Sequence, residues 1–227
     1  MKLIERFMIF MGIFILNISY GSFILAVLKE MGVNYSTMST LNKSFILITI
    51  DITLMLIFYL IYRKELNREL KKYLHNFKKY FKFGFNFWMI GLAIMLISNF
   101  LIGFFVTDMA NNEAAIQETL VKMPIYIAFS SCIFAPFTEE IIFRKCLGKI
   151  FKSNILFYIA SGLIFGGIHT VSGIGTLQML YIIPYGTFGV IFAYMYRKTN
   201  TIFVPMTFHM IHNTLLTLVS LYSQGVI

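Results

Sequence analysis

The chain has 227 residues, of which 58% are hydrophobic and only 13% are charged, and its mean hydropathy is +0.77. Soluble domains carry about 25% charged residues, so this composition excludes a soluble protein and predicts an integral membrane protein in contact with the lipid bilayer. The net charge of +9 does not indicate nucleic-acid binding, because the basic residues cluster between apolar runs, as they do in the cytoplasmic loops of membrane proteins.

Seven apolar runs follow one another along the chain, each long enough to cross a bilayer as a helix. The runs are continuous rather than alternating, which favours helices over the strands of a barrel. No small-residue cleavage site follows the first run, so we expect it to be retained as a span. The predicted fold class is all-α, a polytopic transmembrane helical bundle of about seven spans (six to eight). The predicted spans are residues 7–28, 44–62, 85–106, 123–152, 154–172, 177–196 and 202–222.

These spans divide into two groups within one membrane domain. Residues 1–122 hold the N-terminal transmembrane helices and a basic cytoplasmic loop at residues 63–82, and residues 123–222 hold the remaining helices. The loop sequence, RKELNRELKKYLHNFKKYFK, has apolar residues at helical spacing among its lysines. This pattern is typical of a helix that lies on the anionic inner leaflet, and an arm that binds a partner protein is the alternative.

The distribution of charge predicts the orientation of the chain. With the N-terminus inside, most of the 19 basic residues fall on the inner side, as the positive-inside rule requires. The abundance of Lys, Ile and Asn indicates a bacterial cell membrane. The outer side then holds four acidic residues, Glu30, Asp108, Glu113 and Glu118.

Ionisable residues inside membrane spans are costly and by default indicate function. Asp51 stands alone in the second predicted span, where we expect it to make a polar contact between helices. In the fourth span, Glu140 and Arg144 are four residues apart and can pair on one face of a helix. Glu139 is turned by about 100° from Glu140, which leaves it free for another role.

Two histidine patterns follow in later spans. Phe165 and His169 are four residues apart and share a helix face, and so do His209 and Asn213. His212 lies on a different face, about 60° from His209, so we expect it to pack rather than to react.

Distances along the helices bring these residues to one level. At about 1.5 Å per residue, Glu139, His169, His209 and Asn213 lie roughly 16 to 22 Å from the inner ends of their helices. The four side chains can therefore meet inside the bundle. A kink or break at Pro136 would change the depth of Glu139.

This set of side chains permits hydrolysis of an amide. A carboxylate and an imidazole that share a water can deprotonate it, and a second imidazole and a carboxamide can donate hydrogen bonds to the oxyanion that then forms. A metal is the alternative, because Glu139, His169 and His209 supply the three protein ligands of a catalytic zinc. The residue types do not separate these two ways of activating water.

The three motifs resemble those of the CAAX protease and bacteriocin-processing family of intramembrane endopeptidases, also called the Abi family. The family pattern is EExxxR, then FxxxH, then HxxxN or HxxxD, on successive membrane helices. Here the motifs read EEIIFR from residue 139, FGGIH from residue 165 and HMIHN from residue 209. The resemblance covers residues 123–222, which it identifies as a group of catalytic core helices.

The resemblance implies a role for each polar residue of the motifs. Glu139 and His169 would activate the attacking water, while His209 and Asn213 would form the oxyanion site. This mechanism requires no cofactor. The family is often labelled metalloprotease, and zinc is the cofactor that this alternative would require.

The remaining motif residues would support that site. Glu140, Arg144 and Phe165 are implied to orient and stabilise the helices that carry the reactive groups. The implied activity is cleavage of a membrane peptide or membrane protein, since eukaryotic members trim prenylated CAAX proteins and bacterial members are linked to peptide maturation, bacteriocin immunity and cell-envelope regulation. Two alternatives are a non-catalytic immunity or scaffold protein, and a small transporter that uses the buried charges as a proton relay.

Overall fold

The structure of the protein, a computed structural model, describes residues 2–225. This part of the chain forms eight α-helices and no strand, and six of the helices are long and apolar enough to span a membrane. The predicted all-α bundle of six to eight spans is confirmed. The helices are α1 (Leu3–Glu30), α2 (Thr40–His75), α3 (Phe77–Ile102), α4 (Asn111–Lys122), α5 (Pro124–Ile150), α6 (Asn154–Thr170), α7 (Ile182–Thr199) and α8 (Phe203–Ser223).

Helices α4 and α8 are the two that fall outside these six. Helix α4 has 12 residues, which is too short to cross a bilayer that needs about 20. Helix α8 has 21 residues and is long enough, but it carries the polar residues of the third motif. All seven predicted spans therefore correspond to helices, and the protein is an integral, multi-pass membrane protein.

The basic segment at residues 63–82 differs from its prediction. It is neither a loop nor a separate surface helix, because α2 continues to His75 and α3 begins at Phe77 after a single residue. The end of α2 packs on the bundle through Tyr73, which is 6% exposed. The Tyr73 ring stacks on Phe203, and its hydroxyl lies 2.9 Å from the Thr207 hydroxyl. The apolar side of this segment therefore faces protein as well as lipid.

Helix α5 carries the first motif and is not regular along its length. Two π-helical segments, Ser130–Phe134 and Ile141–Cys146, lie on either side of a short α-helical stretch, Ala135–Glu140. Pro136 has no N–H to donate to the preceding turn, and the π-helical segment before it accommodates that loss. Helix α5 consequently continues through Pro136, and the glutamates of the first motif lie just after it.

Glycines allow α6 and α7 to pack closely. A Cβ atom added to Gly162 would lie 3.1 Å from the carbonyl oxygen of Gly186, and one added to Gly189 would lie 2.8 Å from the Cα atom of Gly162. Side chains at these positions would force the helices apart, so small residues set the approach. The close packing fixes the second motif, on α6, against the middle of α7.

The first half of helix α8 lies in the interior of the bundle. Val204 and Phe208 are almost completely buried, and the Phe208 ring fills the space that a side chain at Gly84 of α3 would need. Interior burial of this kind costs nothing for apolar residues but requires partners for polar ones. The histidine of the third motif, which follows Phe208 directly, is therefore held at a fixed position against α5.

Candidate active site

A cavity of about 260 Å³ lies between α4, α5, α6, α7 and α8. Glu139, His169, His209 and Asn213 all contribute to its lining. Motif residues of α5, α6 and α8 thus line one space, as the depth argument predicts. The catalytic role of each residue stays a prediction.

The two neighbouring glutamates of α5 have different surroundings. Glu140 is fully buried, and its Oε2 atom lies 3.0 Å from Nε of Arg144, which is also fully buried. The predicted pair four residues apart is therefore present. Glu139 points towards the cavity with 19% of its side chain exposed, and its Oε2 atom lies 3.7 Å from Nε2 of His209.

Arg144 joins α5 to α6 and α7. Its Nη1 atom donates to the hydroxyl of Ser161 at 2.7 Å, and that hydroxyl donates to the carbonyl of Gly189 at 3.1 Å. The guanidinium also lies over the rings of Phe165 and Phe192, at 5.1 and 5.7 Å from their centroids. A guanidinium stacked on aromatic faces is stabilised by cation–π attraction. Phe165 thus supports the site through Arg144 as well as through its own motif.

Glu140 also holds the histidine of α8, a contact that sequence spacing does not predict. Nδ1 of His209 lies 3.0 Å from Oε1 of Glu140. A carboxylate paired with Arg144 can only accept, so Nδ1 of His209 carries the proton and donates it. The other ring nitrogen, Nε2, is left on the side of the cavity and Glu139. The two residues are 69 positions apart, and no local pattern could have indicated their contact.

His169 is fixed by its own helix and by a tyrosine. Its Nδ1 atom lies 2.7 Å from the carbonyl oxygen of Phe165, and since a carbonyl only accepts, Nδ1–H is the donor. The ring lies between those of Phe165 and Tyr185, at centroid distances of 4.5 and 4.9 Å. Nε2 of His169 therefore keeps its lone pair. Within residues 2–225, His169 forms no ion pair with Glu139, so the two predicted partners are not in direct contact.

Asn213 is anchored to the first turn of the distorted part of α5. Its Nδ2 atom donates to the carbonyl of Ser131 at 2.9 Å. A carboxamide has a second N–H, which this bond leaves available. His212 packs its ring against Phe188 at 4.2 Å between centroids, and Asp51 is 8% exposed with Ser130 beside it.

A metal ion is the alternative means of activating water in this cavity. In the described part of the chain, no group of three or more His, Cys, Asp and Glu side chains is arranged to hold one. The Nδ1 atoms of His169 and His209 are both engaged by acceptors. These bonds engage only Nδ1, and a histidine that binds a metal through Nε2 is commonly held in this way. Zinc held by Glu139, His169 and His209 therefore stays an untested prediction.

Comparison with known proteins finds a match for the part of the chain that carries the three motifs. A family model described as "Type II CAAX prenyl endopeptidase Rce1-like" matches residues 121–215. This range includes α5 to the third motif on α8, and hence all three motifs. No solved structure matches the chain.

Two curated bacterial proteins are similar over a comparable region. The chain is 31% identical over 115 residues to "Putative membrane peptidase YdiL" of Bacillus subtilis (strain 168), which covers 49% of this chain and 44% of that protein. It is 31% identical over 140 residues to "Membrane-embedded CAAX protease MroQ" of Staphylococcus aureus (strain USA300), covering 55% of this chain and 53% of the relative. The aligned region spans about half the length of these relatives. The resemblance of the motifs is confirmed: residues 121–215 of this bacterial multi-pass membrane protein are similar to the Rce1-like family of type II CAAX prenyl endopeptidases.

Proposed function

We propose that the protein is an intramembrane endopeptidase that hydrolyses a peptide bond of a membrane-associated peptide or protein. The observation that carries this proposal is the convergence of one carboxylate, two imidazoles and a carboxamide on a single cavity. Hydrolysis of an amide needs a base for water and donors for an oxyanion, and this set supplies both. The match of residues 121–215 to the Rce1-like family supports the same activity.

Water is activated between Glu139 and His169. Nε2 of His169 has a free lone pair, because Nδ1–H is donated to the Phe165 carbonyl, and Oε2 of Glu139 is buried without a hydrogen-bond partner among residues 2–225. A water molecule that bridges these two acceptors would donate a hydrogen to each. The carboxylate takes one proton as the oxygen attacks the carbonyl carbon of the substrate.

The oxyanion is stabilised from α8. The second N–H of the Asn213 carboxamide and a protonated Nε2 of His209 are both on the cavity side. An imidazolium at His209 would lie between the carboxylates of Glu139 and Glu140, at 3.7 and 3.0 Å. Donors held in place before the reaction need no reorganisation when charge develops, which is the basis of oxyanion stabilisation.

The reaction is completed by collapse of the tetrahedral intermediate. The C–N bond breaks, and the proton taken from water moves from Glu139 to the departing amine nitrogen. One water is consumed, and a new carboxyl group and a new amino group are formed. Each of the four side chains returns to its starting protonation state, so the cycle balances without a further reactant.

Metal dependence is a separate point that experiment can decide. The mechanism above proposes no cofactor, whereas zinc bound by Glu139, His169 and His209 would supply a Lewis acid at the same place. We expect cleavage to continue after dialysis of the purified protein against a chelator, and elemental analysis to find less than stoichiometric metal. Loss of cleavage on chelation with recovery on adding zinc would establish the metal mechanism instead.

The primary test is cleavage by the purified protein in liposomes. A mixture of membrane peptides from the host is incubated with the wild type, Glu139→Gln or His169→Gln, and the released fragments are identified by mass spectrometry. Loss of a general base lowers such rates by about 10²- to 10⁴-fold, so we expect both variants to release almost no fragments. The matched controls are Glu118→Gln on the exposed face of α4 and His75→Gln at the exposed end of α2.

Two outcomes would contradict the proposal. Fragment release by Glu139→Gln at the wild-type rate would remove the carboxylate from the mechanism. If no fragment were released by any form, while a host phenotype such as bacteriocin immunity survived Glu139→Gln at normal protein levels, the non-catalytic immunity or scaffold alternative would be favoured.

A further inference from the structure

The bundle has two chemically different ends. At one end, the Arg6 guanidinium donates to the Lys149 carbonyl at 2.8 Å, and the Lys72 ammonium donates to the Thr199 carbonyl at 2.8 Å. The basic segments of the chain thus meet there, and we call this the basic end. Under the positive-inside rule the basic end faces the cytoplasm.

The cavity lies towards the opposite end. There the turn after α6 meets the segment before α4, since Gln178 donates to the Met109 carbonyl at 3.2 Å and the Tyr181 hydroxyl to the Asp108 carbonyl at 2.8 Å. Helix α4 lies at this end and contributes to the cavity lining. A substrate that enters beside α4 therefore comes from the outer side of the membrane.

Helix α4 has one face towards the cavity and one face towards the surroundings. The face away from the cavity carries Glu118 and Lys122, an ion pair at 2.6 Å in which both side chains are about two-thirds exposed. The hydrogen bond from Lys122 lowers the pKa of Glu118, as expected for a charged pair in water. The face of α4 towards the cavity contributes Asn112, Glu113, Ile116 and Leu120 to the lining.

The electrostatics of the cavity favour a positively charged guest. Its lining within the described chain includes the carboxylates of Glu113 and Glu139 but no Lys or Arg. The imidazolium proposed for His209 is balanced by its own partners, Glu139 and Glu140. Glu113 is half-buried, and the contact found for it is a hydrogen bond from the neutral amide of Gln117 at 3.1 Å. A carboxylate in partly apolar surroundings without a cation beside it is more favourably placed when a positive group docks against it.

We propose that Glu113 is a specificity-determining residue, which selects peptides that carry a Lys or Arg close to the cleaved bond on the outer side of the membrane. This rests on the proposed function, because it assigns the substrate class of that same cavity. Outer segments of membrane proteins are poor in basic residues. A requirement for one would therefore separate a few substrates from the bulk of membrane proteins.

The position of Glu113 places the recognised charge near the reacting groups. Its neighbour Asn112 donates to the hydroxyl of Tyr185 at 3.4 Å, and Tyr185 stacks on His169 at 4.9 Å. A basic side chain paired with Glu113 thus belongs to a residue within a few positions of the bond that His169 and Glu139 attack. The apolar residues of the cavity-facing side of α4 would contact the rest of the bound peptide.

The test uses three hydrophobic peptides that are identical except for a Lys, Gln or Glu at one position, which is moved along the peptide in separate sets. Binding and cleavage are both measured for the wild type, Glu113→Gln, Glu113→Lys and the control Glu118→Gln in lipid nanodiscs. We expect the wild type and the control to bind the Lys peptide about tenfold more tightly than the Gln peptide. Glu113→Gln should lose this preference, and Glu113→Lys should prefer the Glu peptide.

The outcomes separate this proposal from the proposed function. An unchanged preference for Lys in Glu113→Gln, or a wild type with no preference, would overturn the role of Glu113 even if Glu139→Gln is inactive. Conversely, a charge preference that follows residue 113 in the binding measurement supports the role of Glu113 even if none of the peptides is cleaved. Cleavage that is unaffected by Glu139→Gln would count only against the catalytic mechanism.

Discussion

Buried charges occur in two regions of the bundle, and the two are built differently. At the basic end, the fully buried Lys145 pairs with Glu69 at 2.5 Å and with Glu65 at 3.0 Å. In the cavity, Glu139 has only Nε2 of His209 at 3.7 Å, and its Oε2 atom is without a hydrogen bond within residues 2–225. At the basic end, the buried ammonium has two carboxylate partners. In the cavity, a carboxylate oxygen has no hydrogen-bond partner within the described residues.

The difference distinguishes structural charge from reactive charge. A buried charge without a partner costs several kcal/mol, so a buried cluster persists either because its groups satisfy one another or because function retains it. The basic-end cluster ties α2 to α5 and also to the start of α8, since Oε2 of Glu69 accepts from the backbone N–H of Ile202 at 2.9 Å. On the proposed mechanism, water and substrate would supply the missing partners of Glu139.

Glu140 pairs with a buried charge and also holds His209 of the cavity. We therefore expect its replacement to have the largest combined effect on stability and cleavage. Glu140→Gln removes the charge that pairs with Arg144, and its single amide oxygen cannot accept from both Arg144 and Nδ1–H of His209 in the way that the two carboxylate oxygens do. Breaking one partner of a buried pair costs about 3 to 5 kcal/mol, so we expect a large fall in the unfolding temperature in detergent together with loss of cleavage. The Arg144→Met change in the same background should then cost little more, because the two effects are coupled.

An unchanged unfolding temperature for Glu140→Gln would contradict this account of the pair. It would mean that Arg144 is satisfied by Ser161 and the aromatic rings alone.

Replacement of Asn213 should affect the rate of cleavage far more than the stability. Asn213→Ala removes the carboxamide N–H that faces the cavity and the bond to the Ser131 carbonyl. Loss of one oxyanion donor lowers kcat by about 10²- to 10³-fold, which we expect with little change in KM for the same peptide. Asn213→Leu, which retains the size and has no donor, is the matched variant. A wild-type kcat in either variant would remove Asn213 from the oxyanion site.

Replacement of Glu65 should have the smallest effect on stability. It also allows an exposed and a buried carboxylate of the basic-end cluster to be compared. Its side chain is 35% exposed, and Lys145 keeps Glu69 as a partner when Glu65 is removed. We expect Glu65→Gln to lower the free energy of unfolding by about 1 kcal/mol or less and to leave cleavage per folded molecule unchanged. Glu69→Gln, at the buried partner, should cost clearly more in the same unfolding experiment. Equal losses would show that burial does not govern this cluster.

Much of the fold and part of the site could be predicted from sequence, because their signals are local. Apolar runs predict the helices, and spacing of four residues predicts the ion pair of Glu140 with Arg144. The motif residues could be expected at one depth because helices have a fixed rise. Periodicity predicts a helix within the basic segment 63–82, but it could not indicate that α2 continues into this segment and packs on Phe203.

The contacts that refine the site depend on packing between distant helices. Neither the hydrogen bond of His209 to Glu140 nor the stack of Tyr185 on His169 leaves a periodic signal in the sequence. The place of α4 at the cavity is similar, because a short polar helix reads as an outer loop segment until its Glu113 face is seen against the motifs. These relations follow from tertiary arrangement and became visible only in the folded chain.

The most direct test of the central claim compares Glu139→Gln with Lys145→Met in one experiment. Cleavage per folded molecule and unfolding temperature are measured for both variants in the same lipid and with the same peptide. We predict that Glu139→Gln loses cleavage by at least about 10²-fold and keeps its unfolding temperature, while Lys145→Met keeps its cleavage and loses about 3 kcal/mol of stability. The account would be contradicted if Glu139→Gln unfolded early and still cleaved, or if Lys145→Met remained as stable as the wild type.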